Sequence, residues 1–490
     1  MEVIPIIIFW AFALFGLFGN RALLLYLFFG SMAFGAFAVV PPELTGGLTL
    51  TPTPMVVLLI ILRNLCDASG PYFFTVTALS PKRALWLFLF LLVAILATLF
   101  MPRLFYGEIT IIPVRLLAFT LGEPLAPSTQ NFSQLAYLGI SILGVLAFAR
   151  MMLDEHMRQE ALKAMCMGAA LAIVTGMLDY LSQYVPLSAV LEPFRTASYA
   201  LMTEVQIMGG KRVVGLMPEA SAYGNLCLCF LCLMYFLRHA MADRWLREQV
   251  APGLVLLLLL FVWLSTSSSA YVGLFIFMLT AVIDWAWRKS AGSADMLGHR
   301  GLGFEFWTAT SGLTGVALVI LFNPALLDPI IEKVNEMVLN KASTSSYEER
   351  SMWTAVGWQA LLDSWGMGVG LGSTRTSNFA AAVFSNTGLI GGGLYFFFVY
   401  QTLRRRLSYR ADGVNVAMMR GIRFAYVPVF IVALLAATTP DFGSYNAWLF
   451  GTALALAITD LKRRQQSLAD TRKPHAGQHL HDFLPTPPKP

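Results

Sequence analysis

Three groups of polar residues interrupt an apolar chain, and their types suit the binding of an anion beside a membrane. The first group begins with Lys211 and Arg212 and ends, beyond a glycine, in Pro218, Glu219 and Ser221. Proline is favoured in the first turn of a helix, so the pattern places Glu219 near a helix N-terminus. A cation and a carboxylate joined by a glycine turn predict a compact polar site. The equally weighted alternative is an arginine that reaches lipid headgroups and a glutamate stabilised by the helix dipole.

The second group surrounds Arg350. Apolar residues recur at helical spacing after it, and Trp353 and Trp358 are of a type enriched at membrane interfaces. The pattern predicts an amphipathic helix of about four turns on the outer leaflet, with Arg350 near its start. The simpler alternative, slightly favoured by these residues alone, is that Arg350 pairs with Glu348 or Glu349 in solution.

The third group is a glycine-rich segment that contains Gly370, Gly372, Ser373, Arg375 and Asn378. Glycine-rich backbone exposes N–H groups that bind anions, and the planar guanidinium of an arginine suits phosphate. The combination predicts a phosphate-binding loop at the depth of the lipid headgroups. The alternative is a flexible turn that leads into the next membrane span.

Two smaller sets carry weaker signals. Ser267 lies in a run of hydroxyl side chains between two apolar segments, where it could bind a sugar or simply form a tight helical hairpin. Arg63 and Asp67 stand one helical turn apart inside an apolar segment. That spacing predicts that they pair with each other within the membrane.

The elements that position these residues are membrane helices. Of the 490 residues, 57% are hydrophobic and 13% are charged, whereas a soluble domain carries about 25% charged residues. We predict an all-α integral membrane protein with about 12 to 13 spans of about 20 residues each. The expected spans are 3–18, 22–40, 55–78, 84–101, 135–153, 164–184, 221–237, 252–268, 270–287, 306–324, 379–402, 421–438 and 444–460.

Lysine and arginine determine the expected orientation. When the spans alternate, the clusters of basic residues between spans fall on one side, which must be the cytoplasm. The formal net charge of +6 is explained by that bias, so we expect no nucleic-acid partner. Residues 1–460 form the membrane domain, with large outer loops at about 185–220 and 325–378, and residues 461–490 form a disordered basic cytoplasmic tail.

All six histidines fall in segments assigned to the cytoplasm. The outer face therefore lacks an imidazole base and a histidine metal site, so we expect neither a metal nor a cofactor. Glu219 is the best-placed general base. The five cysteines lie in apolar runs, where small packing residues are expected rather than metal ligands.

These groups occur in an order that resembles the O-antigen ligase/polymerase superfamily, most closely its exopolysaccharide polymerases. The resemblance covers roughly residues 130–460 and is a pattern of short motifs. The motifs are Arg212-x-x-Gly215-x-x-Pro218-Glu219-x-Ser221, the hairpin Ser265–Ser269, Arg350-x-x-Trp353, Gly368-x-Gly370-x-Gly372-Ser373-x-Arg375, and Ser385-Asn-Thr-Gly388-Leu-Ile-Gly391.

The resemblance implies a metal-independent glycosyltransferase of the bacterial inner membrane. Its donor would be a sugar unit linked to undecaprenyl diphosphate, and Arg212, Arg350 and Arg375 would bind the diphosphate outside the membrane. Members that act as ligases typically carry a histidine in the large loop, whereas this chain has Ser377 and Asn378 there. This departure favours a polymerase, acting with membrane lipid and with proteins that regulate chain length or export.

Two other functions remain open at this stage. An O-antigen-type ligase would move the glycan to a lipid or protein acceptor. A transporter or flippase of lipid-linked sugars would line a central path with charges inside the membrane, whereas the notable charges here cluster at the outer surface.

Overall fold

A computed structural model gives the fold of the chain. It describes residues 3–41, 49–114, 122–199, 201–204, 206–207, 210–290, 301–322, 328, 331–332, 335, 345–408 and 412–472. The residues from 323 to 344, the centre of the predicted large outer loop, therefore lie mostly outside the described part, as do residues 473–490 of the predicted tail.

The described chain is almost entirely helical. Its α-helices are α1 (Val3–Phe18), α2 (Arg21–Ser31), α3 (Pro52–Cys66), α4 (Gly70–Ala78), α5 (Leu85–Leu104), α6 (Thr129–Met151), α7 (Glu155–Leu181), α8 (Ser188–Leu191), α9 (Ala220–Leu237), α10 (Ala251–Leu264), α11 (Ser268–Ser290), α12 (Leu302–Phe322), α13 (Ser345–Asp363), α14 (Phe379–Arg404), α15 (Gly413–Ala436) and α16 (Gly443–Arg472). Two short antiparallel hairpins join β1 (Thr110–Ile111) to β2 (Glu123–Pro124) and β3 (Gln206–Ile207) to β4 (Gly210–Lys211).

The prediction of an all-α membrane protein is confirmed. Within the described ranges, eight helices are long and apolar enough to cross a membrane, or up to nine if a bent pair forms one span. Each predicted span falls on a helix or a helix pair, although the expected 12 to 13 spans exceed the number that meets this criterion. The shorter apolar helices α1 and α2 account for part of the difference.

Two of the predicted spans are not single continuous helices in the structure. The span predicted at 55–78 is two helices, α3 and α4, that meet at 107°. Pro71 follows Gly70 at the start of α4, and proline cannot continue a preceding helix. The span predicted at 22–40 ends as a helix at Ser31, because the following backbone bonds to other segments, as when the N–H of Ala36 donates to the carbonyl of Leu216 at 2.8 Å.

The predicted pair of Arg63 and Asp67 is wrong. The Arg63 guanidinium instead donates to the backbone carbonyls of Gly16 and Gly19, at the end of α1. Asp67 pairs with Arg21 at 2.8 Å and with Arg150 at 3.1 Å. Residues four apart lie on the same face of a helix, and this was the basis of the prediction. Asp67, however, lies just beyond the end of α3, where the backbone is extended.

The helix predicted to follow Arg350 exists as α13, and it begins before Arg350. The tail predicted to be disordered from residue 461 continues α16 to Arg472. Its sequence is rich in Lys, Arg, Gln, Leu and Ala, which are good helix formers.

The most irregular feature of the bundle is a break in α14 at Gly388, where the backbone has a φ of 73° and a ψ of 179°. The glycine-rich segment runs alongside this break. The N–H of Leu389 donates to the carbonyl of Gly366 at 2.8 Å, and Val369 donates to Ser385 at 2.8 Å. Backbone groups freed by a broken helix must find protein partners at membrane depth, and the glycine segment supplies them.

Gly388→Ala is therefore expected to destabilise the protein. A Cβ at this position would lie 2.5 Å from the carbonyl oxygen of Met367 and would sit at a positive φ. We expect the free energy of unfolding to fall by about 2 to 4 kcal/mol, measured by thermal unfolding in detergent.

Gly393→Ala is the matched control in the same helix, because a Cβ there meets no heavy atom within 4 Å. It should leave stability unchanged or raise it by up to about 1 kcal/mol through helix propensity. Equal effects of the two substitutions would contradict the assigned role of Gly388.

Candidate functional site

Arg212 lies in the loop before α9 and is anchored to the hairpin between α10 and α11. Its Nε donates to Thr266 Oγ1 at 3.0 Å, and its Nη2 donates to the Thr266 carbonyl at 2.9 Å. Thr266 has a φ of 46°, a conformation that is rare for a β-branched residue and is often found at functional sites. The hydroxyl hairpin thus orients the arginine, and it does so through Thr266.

Asp179 fixes the backbone of the same loop. It lies near the end of α7 and is fully buried. Its Oδ2 accepts hydrogen bonds from the N–H groups of Val214 at 2.7 Å and Gly215 at 3.1 Å, and its Oδ1 accepts one from Arg195 at 2.9 Å. A buried charge is stable only when it is paired and hydrogen-bonded, so these bonds hold the loop that carries Arg212 in one place.

Sequence reasoning missed Asp179 and Arg195. The available signal was an acidic residue at the end of a long apolar helix, since an ionisable group at membrane depth needs a partner. Arg195 gave no signal of its own, because its partner lies in another element.

Lys211 was predicted to bind substrate, but its ammonium group forms ion pairs with two carboxylates. Its Nζ lies 3.5 Å from Asp179 Oδ1 and 3.2 Å from Glu204 Oε1. The structure therefore separates the roles of two neighbouring cations: Lys211 belongs to the ion cluster around Asp179, and Arg212 does not.

Glu219 occupies the cap position at the start of α9, as the proline pattern predicted. Its side chain is half-buried and does not cap the helix backbone. The Ser221 hydroxyl donates a hydrogen bond to Glu219 Oε1. Glu219 and Ser221, both named as candidate site residues, are thus in contact, and this hydrogen bond orients the carboxylate beside the Arg212 loop.

Arg375 is stacked on an aromatic ring. Its guanidinium carbon lies 3.8 Å from the ring centroid of Trp353 on α13, and its Nε is buried without a hydrogen-bond partner. The backbone N–H of Arg375 donates to the carbonyl of Ile112 at 2.8 Å. Trp353 is thus buried under an arginine, whereas the sequence predicted it as an interfacial anchor.

Arg350 lies on α13 and is half-buried. Among the described residues, its side chain has no hydrogen bond and no ion pair, so the predicted alternative of a pair with Glu348 or Glu349 is not formed. Its position on the same helix as Trp353 places it beside the stacked Arg375.

Glu219 and Arg350 lie close enough to Arg212 and Arg375 for their charges to affect both arginines. Burial lowers the pKa of Arg212, and the positive charge of Arg350 lowers it further, whereas the charge of Glu219 opposes the shift. Burial likewise lowers the pKa of Arg375, where Glu349 and Glu219 oppose the shift and Arg350 adds to it. Arg350 and Glu219 therefore act on both half-buried arginines, which places the four groups in one region of the structure.

Three glycines of this segment, Gly366, Gly368 and Gly370, do not present the free N–H groups that composition predicted, because their N–H groups donate to protein acceptors. The N–H of Gly370 donates to the Asn386 carbonyl at 3.0 Å. A Cβ on Gly372 would lie 2.4 Å from the carbonyl oxygen of Gln130. These glycines allow close backbone packing, and Arg375 is the cationic side chain that the segment carries.

The other predicted substrate-binding residues have structural partners. Ser373 is buried, and its hydroxyl accepts from Asn131 at 2.9 Å. Asn378 caps the start of α14 by accepting from the N–H of Ala381 at 3.0 Å. Ser267 is buried with its hydroxyl 3.1 Å from that of Ser269. Each residue supports the loops around the arginines.

In the described part of the chain, no group of three or more His, Cys, Asp and Glu side chains could hold a metal ion. The cysteines are free thiols, three of them buried.

No protein-family model matches the chain, and no curated protein matches it. The chemistry of the site is therefore argued from its own residues.

Asp179→Ala is expected to be strongly destabilising, because it leaves Arg195 buried at 7% side-chain exposure without its main partner. The free energy of unfolding should fall by about 3 to 5 kcal/mol, visible in thermal unfolding of the purified protein.

Glu192→Ala tests the other carboxylate on the same arginine. Glu192 lies 3.6 Å from Arg195 Nη1, but its side chain is 64% exposed, so we expect a loss below about 1 kcal/mol. A comparable loss for both substitutions would show that Asp179 has no special role.

Proposed function

We propose that the protein is a polysaccharide polymerase of the bacterial inner membrane. It would transfer sugar repeat units from undecaprenyl diphosphate onto a growing glycan at the periplasmic face. The observation that supports this proposal is that Arg212 and Arg375 each interact electrostatically with both Arg350 and Glu219, although these residues belong to separate segments of the chain.

The charge state of the arginines supports an anionic ligand. Among the described residues, no carboxylate lies within ion-pair distance of Arg212, Arg350 or Arg375. A guanidinium that is partly desolvated and unpaired is unfavourable unless an anion joins it. Arginine forks bind phosphate oxygens with paired hydrogen bonds, so a diphosphate can satisfy several of these groups at once.

The chemistry of glycosyl transfer fits this arrangement. Cleavage of a glycosyl–diphosphate bond places negative charge on the departing diphosphate. Fixed arginines in a partly dehydrated site stabilise that charge without reorganising. Glu219, oriented by Ser221, would accept the proton of the acceptor hydroxyl as the new glycosidic bond forms.

The motif pattern gives the second line of support, since the arginines and the glutamate stand in the order found in the O-antigen ligase/polymerase superfamily. The absence of a histidine near Ser377 and Asn378 favours polymerisation over ligation. Proteins that regulate chain length or export would act on the product.

The direct test is reconstitution of the full chain in liposomes with a radiolabelled, undecaprenyl-diphosphate-linked oligosaccharide. A ladder of longer lipid-linked glycans supports a polymerase. Transfer of single units to a different lipid acceptor would identify a ligase. Movement of the intact donor across the bilayer, without new glycosidic bonds, would identify a transporter and overturn the proposal.

Arg350→Gln should abolish most polymer formation without loss of folded protein, because the side chain has no hydrogen-bond or ion-pair partner among the described residues. Removal of one electrostatic donor typically lowers the rate about 100- to 1000-fold, which is measured as initial rate of ladder formation. Arg244→Gln is the control, since Arg244 is 83% exposed and pairs only with Glu248; it should retain the rate of the natural protein.

Trp353→Leu should weaken catalysis more modestly, because it removes the ring that orients Arg375. A stacked cation–π contact is worth about 1 to 2 kcal/mol, which predicts a loss of about tenfold in rate. Trp358→Leu, on the same helix, removes a ring that stacks on Phe384 with centroids 6.0 Å apart and contacts no arginine among the described residues. The idea fails if both variants lose rate equally.

A further inference from the structure

A second set of arginines gathers at the opposite end of the bundle from Arg212, where the sequence places the cytoplasm. The set consists of Arg83, before α5, Arg405 and Arg406, at the end of α14, and Arg423, on α15. We refer to these four residues as the basic cluster. It takes no part in the proposed transfer reaction.

Two members of the cluster donate hydrogen bonds to the backbone carbonyls of other members. The Nη2 of Arg405 donates to the backbone carbonyl of Arg83 at 2.5 Å. Arg423 in turn donates to the backbone carbonyl of Arg405. The two guanidinium groups thus bond to main-chain carbonyls of neighbouring arginines, which brings several positive charges close together.

No carboxylate neutralises the basic cluster. Among the described residues, none of its four members forms an ion pair. The charge interactions of Arg405 and Arg423 are with Arg83 and Arg406, and the Nε atoms of both Arg405 and Arg423 are buried without a hydrogen-bond partner. Burial and the charge of Arg83 lower the pKa of Arg405 to about 10.

Other arginines at the same end of the bundle do have carboxylate partners. Arg288 pairs with Asp284 at 2.7 Å and with Glu305 at 2.5 Å, and Arg420 lies 3.3 Å from Asp284. Arg420 precedes Arg423 by one helical turn on α15. Neighbouring arginines of one helix therefore differ: Arg420 lies beside a carboxylate, whereas Arg423 donates to a backbone carbonyl and has no carboxylate partner among the described residues.

A bias toward positive charge on the cytoplasmic side explains why arginines are present, but it does not require them to be half-buried and close together. Solvated arginines would repel one another and extend into water. A concentration of positive charge without carboxylate partners among the described residues fits a phosphate group, and basic pockets between membrane helices bind anionic lipid headgroups.

We propose that the basic cluster binds the phosphate group of an anionic phospholipid from the cytoplasmic leaflet. The guanidinium groups of Arg405 and Arg423 contact the phosphate, and Arg83 and Arg406 add charge. The lipid would link the end of α14 to the loop before α5 and to α15, three elements whose cationic side chains otherwise repel.

The test uses the purified full-length protein in a neutral detergent with dioleoylphosphatidylglycerol or dioleoylphosphatidylcholine added at equal concentration. Native mass spectrometry counts the lipids retained. We expect at least about fivefold greater retention of the anionic lipid by the natural protein, from charge-assisted hydrogen bonds. Equal retention of the two lipids overturns the proposal, whatever the variants do.

The double variant Arg405→Gln/Arg423→Gln should lose this preference. Its matched control is Arg244→Gln/Arg464→Gln, which removes two cations from the same end of the bundle; each pairs with a carboxylate, at 2.8 Å in both cases. The control should keep the preference, and so should Arg350→Gln, which separates this site from the proposed transfer site. Retention that falls equally in the double variant and its control overturns the proposal.

A competition arm identifies the source of the phosphate. Inorganic phosphate that displaces the lipid from the natural protein, but not from the double variant, supports a phosphate site filled by the soluble anion. Lipid that stays bound in excess inorganic phosphate supports the lipid headgroup. No displacement together with no lipid preference rejects both.

Discussion

The candidate site depends on one buried carboxylate. Asp179 is surrounded by protein at the end of α7 and must be neutralised there, because an unpaired charge is very unfavourable at low dielectric. Arg195 and the N–H groups of Val214 and Gly215 meet that requirement. These bonds fix the backbone just after Arg212 in the loop before α9. The Arg212 side chain is thereby positioned to bond with Thr266.

A second constraint, the break in α14, positions the other side of the site. At membrane depth every freed backbone group needs a partner, and the glycine segment comes close enough to provide them only because it lacks side chains. The same packing leads the chain through Ser373, held by Asn131, to Arg375 above Trp353. The glycines thus place the side chain of Arg375 through close backbone packing, although composition had predicted a role for their own N–H groups.

Sequence patterns predicted the features that depend on local properties. Apolar length located the helices, and the order of residues from Arg212 to Glu219 placed a carboxylate at the start of α9. Features that depend on distant partners were missed or misassigned. Asp67 bonds to Arg21 and Arg150 from other helices, which helical spacing along one segment cannot reveal. Asp179 was missed for the same reason.

Each end of the bundle contains half-buried arginines that lack a carboxylate partner among the described residues. Arginines buried against protein need an anion, and where the chain supplies one, as Asp284 does for Arg288 and Arg420, the set is complete without a ligand. Arg350 and Arg423 have no such carboxylate among the described residues. We propose a phosphate group for each of these positions, because phosphate is the anion whose geometry matches the donors of arginine.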